Sequence, residues 1–420
     1  STRGGSMLAM PRWVALHGLV AMLVACGRPT PDARGATEAL PYPHAAEPIG
    51  TAAEVYDGTL PPDLAVNTFR NTDRLFATRR VARGEAVRPL PPSARLMPDV
   101  HFLDRGRVVP LAEYLDQNRV AGLLVLKDGL VVAEEYRFGN TPATRWMSMS
   151  IAKSFTSTLV GMALQEGAIR SLTDPVTHYL PELAGTGYDG VTLRHLLTMT
   201  SGVGWDETYT DSTSDRRRLL RAQLDQAPGA VMGVMASLPR VAEPGTTYTY
   251  NTGETQVVAE LVKRAISRPL ADYLSERIWS PVGMESDAYW WLDAPGGTEI
   301  GGSGLSMTLR DYGRFGLFLL GGAVIDGEPM LPDGWLAEAT RPTRLRDGTL
   351  VDYGYLWWTP TSAASLRDGA YVAEGLYGQF LYINPAAGVV VVVLSARAEP
   401  AGDDWLSDWA FFEAVADSLR

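Results

Sequence analysis

The chain has 420 residues, length for two or three packed units, with 46% hydrophobic residues, 20% charged residues and a mean hydropathy of −0.04. These values are ordinary for a globular protein and exclude wholesale disorder or a fibrous repeat. Lys and Arg total 37 against 48 Asp and Glu, so the net charge of −11 offers nucleic-acid phosphate no overall basic footprint. Lysine is scarce, only Lys127, Lys153 and Lys263 being present, which draws attention to any lysine that sits in a motif. The single cysteine, Cys26, excludes an internal disulfide and a thiolate zinc site. His17, His44, His101, His178 and His195 form no His-x-x-x-His pair, so no metal site is expected.

Residues 1–6 precede Met7 and are set aside. From Met7 the sequence carries Arg12 and then an apolar run, Trp13–Ala25, shorter than the roughly 20 residues that span a bilayer. It reads as a signal peptide over 7–25. Its end, Leu23-Val24-Ala25-Cys26-Gly27, resembles the lipobox of bacterial lipoproteins, which implies lipidation at Cys26 and an exported envelope protein. Such an anchor would be the only membrane contact, and Gly27 after the cysteine resembles sorting to the periplasmic face of the outer membrane. Five prolines between Gly27 and Gly50, with no apolar periodicity, predict an extended tether over 26–50.

The folded part begins near residue 51. Ala121–Leu126 and Leu130–Tyr136 are apolar, β-branched runs around Lys127-Asp-Gly129, a β-hairpin. Ile151, Phe155 and Leu159 recur at helical spacing, with Gly167 placed as a C-terminal cap. Val257, Val258, Leu261, Val262 and Ala265 repeat that pattern. Gly304–Leu320 and Trp405–Leu419 also read as helices. Phe380–Ile383 and Val389–Leu394 flank Asn384-Pro-Ala-Ala-Gly388 as a second hairpin, whose unbroken valines predict a strand buried on both faces. Two hairpins at opposite ends of the chain predict an α/β (α+β) fold. In it an antiparallel sheet from both chain ends is flanked by helices, its parts about 51–149 and 300–420, with a mainly helical insert at about 150–299.

The chemistry lies in Trp146-Met-Ser-Met-Ser150-Ile-Ala-Lys153, a Ser-x-x-Lys at a predicted helix start. Residues three apart share a helix face. A serine hydroxyl attacks poorly until a base takes its proton, and a partly desolvated lysine of lowered pKa can do so. The helix N-terminus also presents free N–H groups to developing negative charge. By itself the motif is short enough to arise by chance as a solvated lysine beside a capping serine.

Three further segments change that reading: Thr192-Leu-Arg-His-Leu-Leu-Thr-Met-Thr-Ser-Gly202, Pro244-Gly-Thr-Thr-Tyr-Thr-Tyr250 and Gly375-Leu-Tyr-Gly-Gln379. With these motifs in this order, the chain from about Val55 onward resembles the serine β-lactamase-like superfamily. That group includes class C β-lactamases, D-alanyl-D-alanine peptidases, family VIII esterases and 6-aminohexanoate-oligomer hydrolases. Trp205-Asp-Glu207 and Gly-Leu-Tyr-Gly-Gln favour the branch of esterases and 6-aminohexanoate hydrolases. The resemblance implies Ser150 as the acylated nucleophile, Lys153 as its hydrogen-bonded partner and Tyr250 as proton shuttle, with a phenol pKa lowered by the ammonium. It implies an oxyanion hole from the backbone N–H groups of Ser150 and Leu376, and no metal or organic cofactor.

The chain departs from the family pattern twice. The Tyr-x-Asn triplet is Tyr250-Asn251-Thr252, so a Thr252 hydroxyl stands where an amide is usual. Ala373-Glu374-Gly375 replaces Lys-Thr-Gly, so Glu374 puts an acidic group where β-lactamases hold a substrate carboxylate. This disfavours β-lactams and favours small neutral esters, or amides with a cationic end. Glu374 and Gly375 are therefore expected beside the substrate, and Tyr209 either on a loop flanking the acyl site or as an ordinary surface tyrosine. Tyr248, on the same side of its segment, competes with Tyr250. His195 reads as a helix packing residue, and Trp290, Trp291, Trp357 and Trp358 read as core with one at the substrate entrance. A Ser-His-Asp α/β-hydrolase is excluded, since no histidine follows His195 and Gly301-Gly-Ser-Gly-Leu305 is not a nucleophile elbow. The non-enzymatic alternative, an envelope lipoprotein that keeps the fold as a binding module, conflicts with the joint presence of Ser150, Lys153 and Tyr250.

Overall fold

A computed structural model describes residues 41–420. Cys26, the signal peptide and most of the tether lie outside the described residues. The runs flanking the two turns form hairpins, Val120–Lys127 with Leu130–Tyr136 and Gln379–Asn384 with Val389–Ser395. Val389–Ser395 pairs antiparallel with Val120–Lys127, and Tyr371–Gly375 adds an edge strand. The result is one five-stranded antiparallel sheet joining both ends of the chain.

Strand periodicity explains the valine run. Val390, Val392 and Leu394 face one hydrophobic cluster, and Val389, Val391 and Val393 face the other. On the first face lies the helix Leu309–Leu320. It seats close to the sheet at two glycines, where a Cβ would stand 2.6 Å from Leu124 Cδ2 at Gly313 and 2.6 Å from Val390 Cγ1 at Gly316. On the second face the helix Asp408–Ser418 buries Phe411 and Phe412 against the sheet. The helix Ile151–Gln165 is buried from Ile151 to Ala163, with short Ser and Thr side chains among its apolar ones, and so runs through the centre of the domain.

Two expectations are corrected by the structure. Gly304–Leu320 is not one helix, because Leu305–Thr308 is a strand and the Thr308 side chain caps the helix that follows by accepting from Asp311 N. That strand lies in a second sheet, in the order Thr78–Val81, Ala288–Trp291, Leu305–Thr308, Arg145–Met147. The segment 150–299 is mainly helical and adds the strand Ala288–Trp291 to this sheet. Residues 41–50 are docked rather than extended as a tether. Tyr42 Oη donates to Arg70 O at 2.6 Å, His44 Nε2 lies 2.8 Å from Thr144 Oγ1, and Glu47 takes two hydrogen bonds from Arg70 at 2.7 Å each. The prolines narrow the backbone there without preventing burial of His44.

Candidate active site

Ser150 occupies the N-cap position of the buried helix Ile151–Gln165. The residue before it, Met149, is buried with φ 43°, a left-handed conformation that costs a non-glycine residue on the order of 1 kcal/mol. The turn is thus held by its surroundings. One helical turn on, Lys153 is 1% exposed, and its Nζ lies 2.8 Å from Ser150 Oγ, 3.1 Å from Thr252 Oγ1 and 3.0 Å from Gly302 O. Burial is the main cause that pulls its pKa down to about 7, with Arg216 helping and Glu207 opposing.

The partners of Lys153 decide where its lone pair points. Gly302 O can only accept. Thr252 Oγ1 gives its own hydrogen to Glu207 Oε1, so it too accepts from the amine. The two N–H bonds of a neutral Lys153 are then committed, and its lone pair faces Ser150. Glu207 was read in the sequence only as part of a family marker. In the fold it also accepts from Thr252 N at 2.9 Å and from Trp205 Nε1. The signal that could have singled it out was Thr252 itself, since a hydroxyl replacing an amide needs an acceptor.

Tyr250, Tyr209, Glu374, Gly375 and Leu376 line one cavity of about 420 Å³ with Ser150, within the size range of small-ligand sites. The Tyr250 ring stacks on Trp358 at 5.6 Å and 21°, and Lys153 Nζ stands 5.0 Å from its centroid. The expected lowering of the phenol pKa is reversed. Burial and the charge on Glu207 raise it well above 10, while a hydrogen bond with Ser150 only partly opposes them. Tyr250 therefore keeps its proton at neutral pH. Tyr248 packs against Tyr353 and its buried hydroxyl has no partner among the described residues, so Tyr250 is the tyrosine at Ser150.

The edge strand closes the other side. A Cβ at Gly375 would stand 2.4 Å from Ser148 O and 3.1 Å from Ser150 N, so only glycine lets the strand approach the nucleophile this closely. Leu376 O accepts from Gln379 Nε2 at 3.1 Å, and Gln379 Oε1 accepts from Trp146 Nε1 and Ser395 N at 3.0 Å each. The turn is thereby tied to both sheets. Among the described residues the N–H groups of Ser150 and Leu376 make no backbone hydrogen bond. Glu374 faces the cavity, and burial, helped by Asp408, raises its pKa to about 7.

Other candidates fall elsewhere. His195 forms a capping box with Thr192 and lies outside the cavity of Ser150. Trp290, Trp291 and Trp357 are core, whereas Trp358 lines the site. Arg397, which the sequence reading passed over, also lines it and is held by Asp408 at 2.6 Å. No group of three or more His, Cys, Asp or Glu among the described residues could hold a metal ion.

Comparison with known proteins gives the family and the fold. Residues 111–414 match the Beta-lactamase protein family. The 6-aminohexanoate-dimer hydrolase of Paenarthrobacter ureafaciens is 30% identical over 351 residues, covering 80% of this chain and 86% of that protein. A solved Bacillus anthracis protein, named as a candidate 6-aminohexanoate-dimer hydrolase, superposes with a TM-score of 0.72 at 25% identity, covering 84% of this chain and 91% of the other. A family VIII carboxylesterase shares the fold at a TM-score of 0.54 and 18% identity, over 73% of this chain and 94% of its own. The chain belongs to the Beta-lactamase family, within the β-lactamase-like superfamily of hydrolases.

Proposed function

We propose that the protein is a serine hydrolase that cleaves carboxylic esters through an acyl-enzyme on Ser150. The observation that carries this reading is the 2.8 Å contact between Ser150 Oγ and a Lys153 whose other N–H bonds are committed to Gly302 and Thr252. Neutral Lys153 takes the proton as Ser150 Oγ bonds to the acyl carbon. The oxyanion that forms accepts from the Ser150 and Leu376 N–H groups. Tyr250 donates its proton to the departing alkoxide, the C–O bond breaks, and the proton on Lys153 restores the phenol. Water then adds to the acyl-enzyme by the same route and releases the acid and free Ser150.

Linear amides with a cationic end are the second substrate class, favoured by Glu374 in the cavity and by the name of the Paenarthrobacter relative. The same carboxylate, once ionised, repels the carboxylate that β-lactams carry. Lipidation at Cys26 and an envelope location remain part of this proposal, supported by the sequence Leu23–Gly27. The test is the initial rate on p-nitrophenyl butyrate for the wild type and Ser150→Ala, with mass spectrometry of the trapped acyl-enzyme. Activity that disappears in the variant, with the acyl mass on Ser150, supports the proposal. Wild-type inactivity on this ester and on a panel of linear amides would sink it.

A further inference from the structure

A second cavity, of about 710 Å³, is larger than the acyl site and shares no lining residue with it. Arg194 and His195 enter it from the helix Leu193–Leu197, and Arg341, Arg344 and Arg346 from the segment after the helix Trp335–Ala339. In a chain of net charge −11, four arginines converge here against one acidic lining residue, Glu338. That carboxylate is taken by Arg341 at 2.6 Å, and Arg344 donates to Gly348 O at 2.9 Å. Arg194 lies over the Tyr355 ring, 5.6 Å from its centroid. Neither Arg194 nor Arg346 forms a salt bridge among the described residues, so two guanidinium charges face the cavity without a counter-ion of their own.

A further donor is oriented by local geometry. The Thr192 N–H donates to His195 Nδ1 at 3.1 Å, which makes Nδ1 the acceptor and leaves the hydrogen of the neutral ring on Nε2. Burial, aided by Arg346, Arg194 and Arg240, keeps the ring below the ordinary histidine pKa. His195 Nε2 and Arg346 Nε are each 3.5 Å from the point where a Cβ of Gly245 would stand. The two donors are therefore near neighbours on one wall of the cavity. Beside these donors the wall is apolar, with Leu345 and the rim residues Leu350 and Leu366, which are 52% and 54% exposed.

We propose that this cavity binds a small amphiphilic anion. Arg194, Arg346 and His195 Nε2 hold its carboxylate or phosphate head, and Leu345, Leu350 and Leu366 receive its alkyl chain. Guanidinium groups suit both head groups because their paired N–H bonds match two oxygens. The site also adjoins the segment that ends at Tyr250, since Arg346 N donates to Gly245 O at 3.0 Å and Gly245 N to Thr200 O at 2.8 Å.

The test is calorimetric titration of the full chain with decyl phosphate and decanoate below their micelle concentrations, with decanol as the neutral control. Saturable binding is expected, at least 10-fold weaker for decanol and for the double variant Arg194→Gln, Arg346→Gln. Hydrolysis in the absence of probe should be unchanged in that variant, because neither arginine lines the acyl cavity. In the proton NMR spectrum the His195 ring should titrate at higher pH when decyl phosphate is bound, a readout that general structural damage would not produce. Vesicles containing phosphatidylglycerol form a separate arm. Soluble-probe binding marks a free amphiphile as the source, whereas vesicle binding alone, lost in the double variant, marks a bilayer lipid. Equal affinity for decanol, equal affinity of the double variant, or strict competition with the ester at the acyl site would each overturn the proposal.

Discussion

Replacing Glu207 by Gln removes a negative charge one hydroxyl away from the proposed base. Glu207 favours the protonated form of Lys153, while catalysis by the proposed route needs the neutral form. The wild-type kcat/KM should therefore rise with pH through an apparent pKa near 7. Without the carboxylate the ammonium is less stabilised, so that limb should move to lower pH. Two unit charges at two hydrogen-bond lengths interact by about 3 kcal/mol at an effective dielectric near 20, which corresponds to roughly 2 pH units. Glu207 is only half-buried, and solvent screening reduces the expectation to about 1 unit. The assay is the pH–rate profile on p-nitrophenyl butyrate for the wild type, Glu207→Gln and Glu207→Asp, the last keeping the charge. Glu207→Gln should also lose up to about 10-fold in plateau rate, because the charge-assisted bonds to Thr252 weaken. An unmoved acid limb in Glu207→Gln, or one moved upward, would refute the assignment of Lys153 as base under the control of Glu207.

Tyr250→Phe removes the donor to the leaving group and should slow acylation about 10²-fold or more, measured by single-turnover kinetics; retention of most of the rate would return that proton to water. Lys153→Ala should cost at least as much, with stability little reduced if the cavity it leaves admits water, as a thermal melt beside the rate would register. Gly375→Ala forces the edge strand away from Ser148 and Ser150 and should reduce kcat while costing about 1–3 kcal/mol of stability; an unperturbed melt and rate would show that the strand gives way freely. Glu254, 1% exposed, has its pKa raised to about 8 by burial, with the Ser201 hydroxyl opposing. The unfolded chain releases that proton at the ordinary carboxyl pKa whereas the folded chain keeps it. Stability should therefore fall as pH rises from about 4.5 to 8, by at most about 1.4 kcal/mol per pH unit, and Glu254→Gln should flatten the decline in denaturant titrations across that range.

Much of this protein is written in short-range pattern. The hairpin at Lys127-Asp-Gly129, the two-faced valine strand and the helix carrying Ser150 and Lys153 each depend on residues within about one turn or one hairpin of one another. Alternation, helical spacing and turn chemistry act over that distance. The pairing of Ser150 with Lys153 was legible for the same reason, because three residues on a helix fix a shared face. The strand Leu305–Thr308 was not, since it runs into the helix with no Gly or Pro between them. What separates the two is the Thr308 cap together with pairing to strands far away in the chain.

Composition, the local elements and the order of the motifs are thus determined by the sequence alone, and with them the family. The tertiary structure decides the electrostatics of the site. Lys153 meets Thr252 across 99 positions, and Thr252 meets Glu207 across 45. The fold also turns Glu374 toward Ser150, stacks Trp358 on Tyr250 and raises the Tyr250 phenol where the motif by itself implied lowering. Burial and charge are sums over every segment that packs around a group, so the protonation state of a motif residue depends on partners that its own neighbourhood in the chain does not name.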